Sequence, residues 1–425
     1  MNSAYRIRRA ESSEDGARLH QLFSEVFYPE DVGTFAETLF HHLPGMKKEN
    51  WFIAEEKKSA TIVSAFALIP WVWEIEGNAL KVAEMGIVGT KKEHRHKGLM
   101  KKLYEAFHAT LVEEQFDLSM IQGIPGFYHQ FGYYYSIPLE NNITLSTDTL
   151  PTDPEKEVYR FRRAGLDDII FLMEEDTKYR RFYSISVKRD KENWRYLLTH
   201  SLKTEYGSDF WIMENKDNEQ FYFRIPHKGF GNGLIVSEVS EHIHYDALVN
   251  LLLFCKKKAI ERNKPYIRLN IHNGSTAGTM AISMGAQKGI PYAWQIKVPN
   301  IPNFLQKITT ILEKRVRESC CENFSETLRL DFYKSKIDIL WNKGRIMSIE
   351  PGTEAECPNT FCMSEDLFPA LCLGHRSWHE LQYVRPDIFP APQYIMPDPF
   401  SSSDKSGLVM DILFPRSTSW IYEQY

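Results

Sequence analysis

The sequence predicts two α/β halves built in the same order, with a smaller α+β unit after them. Three observations lead there. The hexamer Tyr5-Arg6-Ile7-Arg8-Arg9-Ala10 returns as Tyr159-Arg160-Phe161-Arg162-Arg163-Ala164, five identities in six at an offset of 154. Each copy alternates apolar and basic residues like a half-buried strand and runs into a helical pattern, Leu19, Leu22, Phe23 and Val26 in one and Ile169, Ile170, Leu172 and Met173 in the other. Finally, Val298-Pro299-Asn300-Ile301-Pro302 reads as a linker, which divides the chain into 1–150, 151–299 and 300–425.

The elements follow in order. Trp51-Phe52-Ile53-Ala54-Glu55 reads as a strand, matched later by Trp211-Ile212-Met213-Glu214, and further strands are expected at 60–73 and 80–88. Leu99, Leu103, Phe107 and Leu111, four apart, give one apolar helix face, and Leu118-Ser119-Met120-Ile121 is a buried strand. The second half repeats this with strands at 221–225 and 234–239, a helix bearing Leu248, Leu251, Leu252 and Cys255, and a strand at 266–271; Phe131-Gly132 returns as Met284-Gly285 at an offset of 153. Strands that precede a helix returning to a strand read as mixed α/β with at least one parallel crossover. In the last unit a helix at 304–316 precedes alternating strands at 327–333 and 336–341 and a turn at Gly344.

Composition limits the function. With 43% hydrophobic and 25% charged residues among 425, the chain has the apolar material for several cores. Its 51 Lys and Arg against 56 Asp and Glu leave a net charge of −5, so no general positive field draws it to nucleic acid and any basic site is local. The most apolar stretch, 248–255, is far short of the about 20 residues of a membrane span, and the N-terminus lacks the apolar core of a signal peptide; a cytoplasmic protein with no membrane span is expected. Six cysteines without a C-x-x-C spacing offer no thiolate pair, and no metal is expected.

One segment stands apart. Lys91-Lys92-Glu93-His94-Arg95-His96-Lys97-Gly98-Leu99-Met100-Lys101-Lys102 gathers six Lys or Arg, two His and one acid between a strand and a helix. A helix N-terminus already carries the positive end of the macrodipole, so cations collected there repel it unless an anion is bound. Gly98 lets backbone approach such an anion closely. The alternative is a solvated charge run.

The run Val88-x6-Arg95-His96-Lys97-Gly98-Leu99-Met100 resembles the acetyl-CoA pyrophosphate loop of the GCN5-related N-acetyltransferases (GNAT). With Gly126-Phe127-Tyr128-His129-Gln130-Phe131-Gly132-Tyr133 after the next strand, two like halves and a final α+β unit, the chain is similar to the enhanced intracellular survival (Eis) family of acetyltransferases. The resemblance implies tandem GNAT folds, each a mixed sheet flanked by helices, and a C-terminal domain similar to sterol carrier proteins. It implies a catalytic first domain, a degenerate second one and a third that ends in a catalytic C-terminus. The acetyl-CoA cosubstrate would lie on Val88, Gly89 and Thr90, on Arg95, His96, Lys97, Gly98, Leu99, Met100 and Lys101, and on Gly123 and Ile124. Tyr128 is then the general acid and the carboxylate of the last residue, Tyr425, the general base. Glu84, on the strand before the loop, is the competing base, because one-domain GNAT enzymes often place a carboxylate there.

The second half lacks this apparatus. Glu238-Val239-Ser240-Glu241-His242-Ile243-His244-Tyr245-Asp246 is acidic and glycine-free where the basic loop should recur, and Ala281 falls where the first half has Tyr128. His242 and His244 would share a strand face, and 228–233 is expected to be a turn. The expected reaction is acetyl transfer to a primary amine, an aminoglycoside-like polyamine or a protein lysine, with Asp31, Glu37 and Glu423 as candidate acids for a cationic acceptor. The other class left open is a coenzyme-A-sensing or lipid-binding scaffold without turnover. The resemblance implies a homo-oligomer, a hexamer.

Overall fold

The computed structural model describes residues 4–140, 143–150, 158–229, 231–391, 405–423 and 425. The first half forms β1 (Tyr5–Arg9), α1 (Ser13–Val26), α2 (Val32–His42), β2 (Trp51–Glu56), β3 (Thr61–Ile75), β4 (Asn78–Thr90), α3 (Leu99–Glu113), β5 (Leu118–Ile121), β6 (Tyr134–Glu140) and β7 (Ile143–Ser146). The second forms β8 (Arg160–Arg163), α4 (Ile169–Phe182), β9 (Ile185–Val187), α5 (Lys191–Thr199), β10 (Ser208–Glu214), β11 (Gln220–Pro226), β12 (Leu234–Val236), β13 (Glu238–Val239), α6 (Tyr245–Glu261), β14 (Tyr266–Leu269), α7 (Thr276–Ser283), β15 (Gln287–Lys288) and β16 (Tyr292–Lys297). The third unit forms α8 (Ile301–Lys307), α9 (Thr309–Arg317), β17 (Thr327–Asp331), β18 (Lys336–Asn342), β19 (Arg345–Pro351), β20 (Asn359–Cys362), α10 (Phe368–Cys372), α11 (Trp378–Val384), β21 (Phe389–Ala391) and α12 (Lys405–Leu413).

The hexamer repeat marks equivalent places. β1 and β8 are edge strands, antiparallel to β2 and β10. Arg8 grips Asp15 through two hydrogen bonds of 2.8 and 2.7 Å, and Arg162 grips Asp168 through two of 2.8 Å, so in each half a bidentate pair ties the strand to the helical segment after it. Register corrects one expected match. Arg9 faces Phe52 and Arg163 faces Trp211, each guanidinium lying over that ring at 5.1 and 5.6 Å. The counterpart of Trp211 is therefore Phe52 and not Trp51.

Strand order repeats as well. The first sheet runs β1-β2-β3-β4-β5-β16-β6, with β4 and β5 parallel. In the second half β8-β10-β11-β13 are joined antiparallel, while β12, one residue before β13, runs parallel to β14 in the order β12-β14-β7-β15. The halves thus exchange strands: β7 lies beside β14, and β16 lies beside β5. A single cut at 150/151 follows the chain order but not the ownership of strands. An exchanged strand also pairs its backbone on both sides, β16 with β5 and β6, which removes an exposed edge.

The remaining differences are local. The expected helix at 304–316 is two helices meeting at Ile308, and the expected linker already contains the start of α8, where Asn300 accepts the Asn303 N–H at 3.0 Å. His242 and His244 share no strand face, because β13 stops at Val239; the His244 ring instead caps α6 by accepting the Ala247 N–H at 3.3 Å. Residues 228–233 join β11 to β12 as expected of a turn, with Phe230 outside the described residues. The third unit is a five-stranded sheet, β19-β18-β17-β20-β21, whose core is continuous with that of the first sheet through α8, α9 and the last segment of the chain.

Candidate functional site

β4 is where the first sheet opens. It pairs in parallel with β5 through Val82–Leu118, Ala83–Ser119 and Glu84–Met120, then continues to Thr90 while β5 ends at Ile121, so the two diverge. On its other side β4 is bulged: Ala65 faces Gly89 and Ala67 faces Gly86, leaving Ile87 and Val88 opposite the single residue Phe66. Ile87 has a φ of 52° there, a conformation that costs a β-branched residue on the order of 1–3 kcal/mol. Gly89 has no room for a side chain, since a Cβ would stand 2.9 Å from the Phe23 ring. Thr90 is tied to β3 through the Ser64 hydroxyl at 2.7 Å.

The basic run leaves β4 and enters α3. His96 (φ 60°) and Gly98 (φ 71°) are both left-handed, and the space beside Gly98 is open, so the glycine answers a backbone need and not a steric one. Arg95, His96, Lys97, Gly98 and Lys101 are exposed, Met100 is half-buried and Leu99 is buried. His94 and Lys91 are tied back, to the Tyr5 hydroxyl at 3.0 Å and the Glu25 carboxylate at 2.5 Å. Arg95 Nε donates to the Thr90 carbonyl at 3.2 Å. No acid stands in the first turn of α3. Unpaired N–H groups and exposed cations converge on one spot suited to an anion.

Tyr128 opens a 3-10 turn after β5 and is buried among Phe127, Phe131 and Tyr133. Its ring lies so close to Gly123 that a Cβ there would meet it at 2.3 Å. Burial, with the neighbouring Tyr292, pushes the phenol up to about 12, and among the described residues its hydroxyl makes no hydrogen bond. The group is therefore a protonated donor at neutral pH. Ile124, beyond Gly123, is exposed.

Tyr425 comes to the other face of the same sheet. Its ring packs on Phe35 at 4.9 Å and on Trp71 at 6.2 Å, and its hydroxyl donates to Glu84 Oε1 at 2.7 Å. Trp71 Nε1 donates to Glu84 Oε2 at 2.8 Å. Glu84 is 2% exposed, and burial pushes its carboxyl up to about 7 although both donors pull it down. With both oxygens engaged and no exposure, Glu84 is out of reach of an incoming molecule. Trp71 and Phe35 belong to the core on the α1–α2 side, whereas Tyr128 belongs to the core on the α3 side.

Residues of the second half hold the last segment in place. Trp420, Ile421 and Tyr422 are buried, and the Trp420 N–H donates to the Ile185 carbonyl at 3.1 Å. Arg189 and Arg224, both buried, donate to the Glu423 carbonyl at 2.6 and 2.7 Å, and Arg224 Nη2 donates to the Tyr425 main-chain oxygen. Both guanidiniums are held by Glu238, at 2.7 to 2.9 Å. Burial would push the Glu238 carboxyl up, but the two arginines override it and hold it low. The acidic segment that stands where the basic loop should recur thus anchors the segment 420–425. Of the acids expected near an acceptor, Asp31 is engaged in capping α2 through the Thr34 N–H at 3.1 Å, Glu37 is half-buried, and Glu423 lies near enough to Glu84 to raise it.

The acetyltransferase (GNAT) domain family matches residues 6–136, which span β1 to β6 and include the basic loop, Gly123 and Tyr128. Residues 6–136 are a GNAT acetyltransferase domain. The protein is an enzyme, an acetyl-CoA-dependent N-acetyltransferase. No curated protein matches the sequence. In fold, the whole chain is similar to a probable N-acyltransferase from Enterococcus faecalis (TM-score 0.69, 14% identity, 100% of both chains), to a GCN5-related N-acetyltransferase from Anabaena variabilis (0.65, 12%, 98% of this chain and 99% of that one) and to Eis1 from Mycobacterium abscessus (0.63, 11%, 99% and 100%).

Sequence reasoning missed Arg189, Arg224 and Ile87. One signal was present: an arginine inside the apolar strand Phe221-Tyr222-Phe223-Arg224-Ile225 announces a buried ion pair. Nothing in the sequence marks the positive φ of Ile87.

Proposed function

We propose that this GNAT enzyme transfers the acetyl group of acetyl-CoA to a primary amine by direct attack through a tetrahedral intermediate, in the manner of the Eis family. The observation that carries the reading is the divergence of β4 from β5 next to an exposed basic loop whose Gly98 is left-handed. The pyrophosphate would lie on Arg95 to Lys101, the pantetheine arm along Val88, Gly89 and Thr90 and across to Gly123 and Ile124, and the thioester in the gap between the strands.

Tyr128 is the general acid. A phenol that stays protonated at neutral pH donates to the departing thiolate without adding charge to the site. The base is the carboxylate that Tyr425 offers as the last residue of this sequence. Arg224 holds its main-chain oxygen, and the ring is wedged between Phe35 and Trp71, so the group would be placed before substrate arrives. Glu84 supports Tyr425 from below and is not itself the base. The repeated strand order supports reading the second half as a GNAT fold without a cofactor loop; the reading of the third unit as similar to sterol carrier proteins rests on the family resemblance. A polycation, aminoglycoside-like or a protein lysine, remains the acceptor class, in a cytoplasmic homo-oligomer of the hexameric kind.

The test is release of free thiol from acetyl-CoA with a panel of polyamines, aminoglycosides and lysine peptides. Amine-dependent release is expected. Coenzyme A binding with no release from any amine would favour the scaffold reading.

A further inference from the structure

Two side chains on β16, the strand that the second half lends to the first sheet, converge on a single carbonyl. Gln295, fully buried, donates through Nε2 to the Gly123 oxygen at 2.8 Å, and the Tyr292 hydroxyl donates to the same oxygen. Gln295 Nε2 also stands 3.5 Å from the Tyr292 hydroxyl, so the two donors support each other. Gly123 is hemmed in: a Cβ there would meet the Tyr128 ring at 2.3 Å and Gln295 Nε2 at 2.8 Å. A trans peptide is planar, and its N–H points opposite to its C=O. With the Gly123 oxygen bound on the β16 side of β5, the Ile124 N–H points away from β16, toward the side on which β4 lies. Among the described residues no carbonyl accepts that N–H, and Pro125 after it has none to offer.

We infer that Tyr292 and Gln295 are positioning residues for the cofactor: by holding the Gly123 carbonyl they aim the Ile124 N–H into the cleft between β4 and β5, as a fixed donor to an amide carbonyl of the pantetheine arm. This rests on the acetyl-CoA reading above. It gives the second half a part in cofactor recognition that its own acidic loop cannot play. It also gives the strand exchange a consequence, since the first half alone would lack both donors.

Binding of two probes separates this role from a general loss of structure. Coenzyme A carries the pantetheine arm, and 3′-phospho-ADP has the same nucleotide and pyrophosphate without it. Tyr292→Phe, which removes one oxygen atom from a half-buried ring, and Gln295→Leu are each expected to weaken coenzyme A by about three- to tenfold, the range of one lost hydrogen bond, with 3′-phospho-ADP affinity unchanged. Equal weakening of both probes, or of neither, would overturn the inference while leaving the acetyl-CoA reading in place. Should Gln295→Leu fail to fold, Tyr292→Phe decides alone. The reading beneath is judged separately on the parent protein: if it binds neither probe, or if Gly98→Asp binds coenzyme A as the parent does, that reading falls and the inference with it.

Discussion

The Tyr425 hydroxyl reaches across 341 positions of sequence to donate to the Glu84 carboxylate at 2.7 Å. This contact joins Tyr425, itself half-buried, to a buried carboxylate on the strand where the first sheet opens. Two consequences follow, one for stability and one for chemistry.

Burial raises the folded-state value of Glu84 to about 7 from 4.5, so between these values the folded chain holds a proton that the unfolded chain has lost. The corresponding stability is complete below about pH 4.5 and is lost as pH rises through 7. Glu84→Gln keeps the shape and an acceptor for Trp71 without titrating. Relative to the parent, this variant should gain on the order of 2–3 kcal/mol between pH 5 and pH 8, read by urea unfolding at each pH. A difference that does not change with pH would place the Glu84 titration elsewhere.

Gly98→Asp puts a carboxylate, and a side chain at a φ of 71°, at the start of α3. Coenzyme A should raise the melting temperature of the parent and leave that of the variant unmoved. An equal shift in both would remove the pyrophosphate from this loop.

Tyr128→Phe deletes a hydroxyl that has no internal partner among the described residues, so folding should be little affected. Turnover is expected to fall by about 10²-fold or more with acetyl-CoA affinity nearly intact. Unchanged kcat would make Tyr128 a packing residue.

Arg224→Met removes the donor to the Tyr425 main-chain oxygen and one of the two donors to the Glu423 oxygen, while Arg189 remains on Glu423 and Glu238. Breaking a buried ion-pair cluster of this kind costs about 3–5 kcal/mol. Hydrogen exchange at 417–425 should speed up and acetyl transfer should fall, with the coenzyme A shift retained. A short extension after Tyr425 should likewise lower transfer more than Glu84→Gln does. Full activity with the extension would take the base away from the terminal carboxylate.

What the sequence by itself determined is local. The alternation within each hexamer, the four-residue spacing of Leu99, Leu103, Phe107 and Leu111, and the basic run around Gly98 are patterns within about fifteen residues, where backbone period and turn chemistry act directly. They mark the two strand-to-helix openings, the helix and the exposed basic loop. The tertiary structure decided the rest, because its causes lie in pairings far apart in the chain. Which half owns β7 and β16 depends on competition between open sheet edges, and no local preference encodes it. Glu84 is a strand residue in sequence, and becomes a buried acid with a raised proton affinity only when Trp71 and Tyr425 close over it. Arg189, Arg224 and Glu238 stand apart in the chain, and their charges acquire a purpose when the fold removes them from water together: unpaired they could not be buried, and paired they hold the last residue against the first sheet.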